Sequence, residues 1–303
     1  MSTAVRRAQG FTVAAAVPAL AAALAGLLID GVYAGPASTA AMLRADDLVT
    51  AAVAVPGLAV ADRAVRRGSV RAWLVTISLL AYLVYTYCYH LFGTGFNDLF
   101  LLHAAVLAGA LIALVLHLAA ADGAVFAERV GAGPGVRGAA VVLGTLAVAL
   151  GGMWVAVAVV NAVTGDVPAG SRLVETDTVV HLGMALDLSL LVPLYAAAAV
   201  LLWRRAAWGY PLGVLALLAG ILHQVGYVVA MPAQVAAGVP GAVAHDPGEP
   251  AVVLLYVLGA VLLLRRTAGF SSPVPGGAAA GSGPPAASAP APRSAGSTRT
   301  PAA

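Results

Sequence analysis

The chain has 303 residues, 61% of them hydrophobic and 10% charged, with a formal net charge of +3 and a mean hydropathy of +0.94. A water-soluble domain carries about 25% charged residues, so this composition excludes an ordinary soluble fold and selects the lipid bilayer as solvent. The positive charge comes from arginine alone, in short stretches between apolar segments rather than on one basic face, which argues against a nucleic-acid partner.

Crossing the hydrocarbon takes ~20 apolar residues in a helix. Segments of about this kind lie at 11–30, 46–61, 71–92, 98–119, 138–162, 178–203, 210–231 and 250–264, the second and eighth being the shortest. They are rich in Ala, Leu, Val and Gly without strand-like alternation, so helices are expected rather than a barrel. The expected fold is an all-α, polytopic transmembrane bundle of eight helices.

The arginines predict its orientation. With a cytoplasmic N-terminus, Arg6, Arg7, Arg63, Arg66, Arg67, Arg71, Arg129, Arg137, Arg204, Arg205, Arg265 and Arg266 fall inside, and only Arg44 and Arg172 fall outside. Cytoplasmic loops hold the excess of basic residues, so both termini are expected in the cytoplasm and the protein in the cell membrane. A second reading of the first segment is a cleaved signal peptide, with Arg6 and Arg7 ahead of it and Ala23-Leu24-Ala25 as a small-residue site. Its apolar run exceeds the length usual for that role, which favours an uncleaved helix. From 271 to 303 the chain is mostly Gly, Ala, Ser and Pro, with two arginines and no acid, a composition that predicts a disordered cytoplasmic tail. Cys88 is the only cysteine, so no internal disulfide or thiolate metal site can form.

Most acids are expected to cap helices. Asp46 and Asp47 would open the second, Asn97 and Asp98 the fourth, Thr176 and Asp177 the sixth, and Glu249-Pro250 the eighth. Asp46-Asp47 also resembles the acidic pairs that hold magnesium pyrophosphate in membrane prenyltransferases, but no second acidic motif accompanies it. Asp187 is different. It lies ~15 Å into the sixth helix, where an acid is costly and needs a partner or a water cavity. His223 lies at similar depth on the antiparallel seventh helix, which a short loop holds adjacent. Ala216, Gly220, His223 and Tyr227 share one face there, and small residues permit close approach. Pro193 is expected to kink the sixth helix near Asp187. A bond that fixes packing and a proton- or substrate-binding pair are both open readings of Asp187 and His223.

Ser78, Tyr82, Tyr85 and Tyr89 form a polar stripe on the third helix, either lining a cavity or bonding between helices. Tyr87, Tyr89 and His90 are expected in an outer aromatic belt. His103 and His117, fourteen residues apart, face one way on the fourth helix, as in two-haem cytochrome b helices. No matching pair exists elsewhere, so two haems are not expected. A single haem b or metal ion held by His103 with His90, His181 or His223 is the alternative to a chain without a cofactor. The stretch Arg67-Gly68-Ser69, Tyr85 to Gly93, Phe96-Asn97 and Leu99-Phe100-Leu101 resembles uncharacterised bacterial multi-pass membrane proteins. That resemblance implies a membrane class and no activity.

Walker, zinc-helix and nucleophile-elbow motifs are absent, so the sequence points away from these enzyme classes without settling whether it is an enzyme. The leading expectation is a small transporter or binding protein with an outward-facing polar cavity between the third, fourth, sixth and seventh helices. Its candidate residues are Asp187, His223, Tyr227, Tyr82, Tyr85 and His103, with the bilayer as partner and a small molecule or ion as substrate. A haem- or metal-binding redox protein and a structural accessory subunit are the alternatives.

Overall fold

The structure, a computed structural model, describes residues 3–123, 126, 134–168 and 171–265. The expected tail at 271–303 lies outside them. Among the described residues eight helices form the fold, with no strand. They are α1 (Thr3–Leu28), α2 (Ala37–Arg66), α3 (Val70–Phe92), α4 (Phe100–Ala119), α5 (Pro134–Thr164), α6 (Asp177–Trp203), α7 (Gly209–Ala236) and α8 (Glu249–Leu264). Seven are long and apolar enough to cross a membrane, and α8 is apolar but shorter.

Helix α7 is central and packs on α2, α3, α6 and α8. Helix α1 runs along α4, with Gly109 so close to Ala15 that a Cβ there would lie 3.3 Å from the Ala15 backbone. Small residues at such seams let helices associate where lipid removes the usual hydrophobic drive. On the other side α5 packs on α6 and α8. Leu20, Val60, Leu101, Val148, Val159 and Leu254 lie exposed on the outer faces. A surface so continuously apolar belongs in a bilayer. This is a multi-pass membrane protein.

Helix α2 corrects the sequence reading. It starts at Ala37 behind Pro36, rather than at 46, and Asp46 and Asp47 lie inside it instead of capping it. The polar run Ser38, Thr39, Arg44, Asp46, Asp47 hides the start of the helix from a hydropathy reading, yet Ser38, Thr39 and Asp47 are buried against neighbours. Asn97 accepts from the Leu99 N–H in a turn before α4 rather than capping the helix itself. Thr176 caps α6 by accepting from Val179. Glu249 is the first residue of α8, but its carboxylate turns to Gln224.

Two π turns interrupt the helices that carry the buried aspartates. One spans Thr50–Ala54 in α2 and the other Asp187–Leu191 in α6. In each, the N–H five residues on closes the turn, Val55 onto Thr50 and Val192 onto Asp187. A proline follows one residue later in each, Pro56 and Pro193. Proline supplies no N–H, so the last carbonyls before it lose their ordinary partners and the ladder shifts register. The deformation expected near Pro193 thus begins at Asp187 itself.

Candidate functional site: a polar cavity and a closed polar cluster

A cavity of ≈ 280 Å³ runs inward from the loops after α5 and α7. Helices α2, α3, α5, α6, α7 and α8 line it, and α4 contributes nothing, contrary to expectation. At its inner end Asp187, only 7% exposed, is held from two sides. Tyr85 donates to its Oδ1 at 2.7 Å and Trp154 donates Nε1–H to its Oδ2 at 2.7 Å. Neither donor comes from α7. Tyr85 also shares a 3.2 Å hydroxyl contact with Tyr89.

His223 lines the same cavity, but the hydrogen bonds of Asp187 go to Tyr85 and Trp154 instead. The Tyr85 ring meets His223 edge to face, with centroids 4.8 Å apart. The expected pair therefore shares a wall and is joined through Tyr85. The α7 face that carries His223 runs past both sides of this point. Tyr227 faces the polar cavity, while Ala216 and Gly220 face a second, apolar cavity of ≈ 210 Å³. Tyr82 lines that second cavity, and Tyr85 and His223 border both.

Towards the mouth the acids are held by uncharged donors. Tyr227 donates to Asp246 Oδ2 at 3.1 Å and the Gly248 N–H to Oδ1 at 2.8 Å. Gln224 donates to Glu249 at 2.6 Å, and Ser171 to Glu175 at 2.8 Å. Burial pushes the Glu175 carboxyl above its ordinary range, with the Ser171 bond acting against the shift. The Tyr227 hydroxyl in turn accepts the Arg172 N–H at 3.1 Å, tying the loop after α5 to α7. Asp46 lines the wall with its Oδ1 against Gly226, where a Cβ would come within 2.8 Å of that oxygen.

The other candidates fall in a separate, closed cluster. Asp47 and His90 are sealed from solvent, with Oδ1 and Nε2 3.3 Å apart, near enough to attract but out of line for a hydrogen bond. Tyr33 donates to Asp47 Oδ2 at 2.6 Å. Burial, reinforced by that carboxylate, pushes the Tyr33 phenol well above its ordinary range, so it stays a donor. His103 stacks on Tyr33 and meets His90 at 5.1 Å between centroids, with neither ring nitrogen hydrogen-bonded. Tyr87 and His90 are buried here, contrary to the aromatic belt expected of them, and Tyr87 donates to the Ala19 carbonyl at 3.2 Å.

His90 and His103 touch edge to face, which leaves no room for a porphyrin between them as axial ligands. His117 turns away to Thr12 of α1 at 3.1 Å, and His181 is exposed. Among the described residues no three His, Cys, Asp or Glu side chains stand close enough to hold a metal ion.

Sequence reasoning placed Asp187, His223, Tyr227 and Tyr85 among the candidates, and all four line the polar cavity. It missed Trp154 as a partner of Asp187 and read Asp46 and Glu249 as caps. A tryptophan deep in an apolar helix is a usable signal, because its indole N–H needs an acceptor. The chain matches no protein-family model, no curated protein and no solved structure.

Proposed function

We propose that the chain is a transporter or solute-binding protein of the cell membrane, with both termini cytoplasmic and the polar cavity facing outward. The observation that carries this reading is the cavity itself. It leads from the loops to a desolvated acid beside a π turn, and polar side chains within a membrane bundle mark substrate paths. Irregular backbone at membrane depth is tolerated where it lines a cavity, which fits the α6 turn at Asp187. The twelve-to-two arginine tally supports the orientation. A purely structural Asp187 would need its two donors and no space beside them.

Thiol labelling tests this. In a Cys88→Ala background, Gln224→Cys in intact cells should react with a membrane-impermeant maleimide, while Ala206→Cys at the opposite end reacts only after permeabilisation. Labelling of Gln224→Cys only after permeabilisation overturns the orientation. No labelling under either condition overturns the water-filled cavity.

A further inference from the structure

We infer that the ligand is an amphiphilic organic cation, with an ammonium-type headgroup in the polar cavity and a hydrocarbon portion in the adjoining apolar one. This rests on the solute-binding reading above and names its substrate class.

The headgroup follows from how the cavity is charged. Asp46, Glu175, Asp187, Asp246 and Glu249 line one space, and no arginine lines it with them. The hydrogen bonds they accept come from tyrosine, tryptophan, serine, glutamine and a backbone N–H, all uncharged. Arg44 and Arg66 pair instead with Asp30 and Asp62, neither of which lines this cavity. A walled space with one sign of charge concentrates the opposite ion and repels its own. An anionic solute is disfavoured, and a neutral one leaves the field uncompensated.

The arrangement of the acids separates cation types. A calcium-like ion needs several oxygens in one tight shell, and among the described residues no three acidic, His or Cys side chains converge to begin one. The carboxylates are instead spread around the wall with Tyr85, Tyr89, Trp154 and Tyr227 among them. Aromatic faces interleaved with acids suit a broad, weakly hydrated cation such as a quaternary ammonium.

The hydrocarbon portion follows from the second cavity. Leu114, Leu118, Leu190, Leu191, Leu194 and Leu212 line it, and it meets the polar cavity at Tyr85 and His223. The single turn Asp187–Leu191 supplies the innermost acid to one cavity and two leucines to the other. Charge and apolar surface thus adjoin without a break in the chain, as a molecule with both characters requires.

The test is calorimetric titration of the protein in lipid nanodiscs, with partition into empty nanodiscs subtracted. Probes are tetramethylammonium, then butyl-, hexyl- and octyltrimethylammonium, with alkyl sulfates of the same lengths as anionic counterparts. Cations should bind and sulfates should not, with affinity rising roughly fourfold per methylene until the apolar cavity is full. Asp246→Asn with Glu249→Gln should weaken every cation by about tenfold. Ala216→Phe, or Ala219→Leu should the first fail to fold, should flatten the chain-length dependence while sparing tetramethylammonium. Equal or tighter binding of sulfates overturns the inference, as does chain-length independence in the unchanged protein. External labelling of Gln224→Cys with no cation binding leaves the cavity reading intact and removes this one.

Discussion

Asp46 and Asp47 are neighbours in sequence and belong to different worlds. Asp47 points into a cluster that is filled, with Tyr33, His90, His103 and Tyr87 packed around it. Asp46 points into open space against Gly226. The two regions use the same side-chain types, namely acid, histidine and tyrosine. What separates them is volume. At Gly26 a Cβ would collide with the Asp47 carboxylate and the Tyr33 hydroxyl, so that cluster is closed down to the last methyl group. A filled polar cluster specifies how α1 to α4 pack, whereas an unfilled one leaves acids able to meet a ligand.

The largest expected effect breaks the comparison directly. Asp47→Ala strands the Tyr33 phenol and His90 in a dry interior and should cost on the order of 3–5 kcal/mol. Asp46→Ala should cost under ~1 kcal/mol, since that carboxylate holds no partner in place. Thermal unfolding of the two variants in the same detergent decides it, and equal losses would erase the distinction between the regions.

A middle-sized effect sharpens the inner end of the open region. Trp154→Phe leaves Asp187 Oδ2 without its donor and should cost about 1–3 kcal/mol. Coupling measured by a double-mutant cycle should be larger for Asp187→Asn with Tyr85→Phe than for Asp187→Asn with His223→Gln. The first pair shares a 2.7 Å hydrogen bond, while the second meets only through the Tyr85 ring. Stronger coupling to His223 would restore the direct pair that depth alone suggested.

The smallest effect concerns pH. Burial raises the Glu175 carboxyl above its ordinary 4.5, so the folded chain holds that proton more tightly than the unfolded one. Its stabilising share is complete below 4.5 and is lost as pH rises through the folded value. Glu175→Gln keeps an acceptor for Ser171 and removes the buried charge. It should melt higher than the parent at neutral pH, with the gap closing as pH falls towards 4.5. A gap that widens on acidification would mean that the carboxylate form is the favoured one.

The membrane class, eight helices and the position of Asp187 well inside the sixth helix were legible in the sequence because each follows from local composition and a fixed rise per residue. The face of α7 was legible for the same reason, since helical spacing alone aligns Ala216, Gly220, His223 and Tyr227. Chain neighbours are not always space neighbours, and there the reading stopped. Depth and a short loop suggested His223 as the partner of Asp187, while Tyr85 and Trp154 arrive from α3 and α5, which nothing local places beside α6. The start of α2 was hidden because hydropathy scores Ser38, Thr39 and Asp47 as exposed polar residues, and burial against α1, α3 and α7 reverses that cost. Local periodicity determined which side chains share a helix face. Only packing decided which of those faces close on one another and which leave a cavity, because that depends on how volumes from distant segments fill the space between helices.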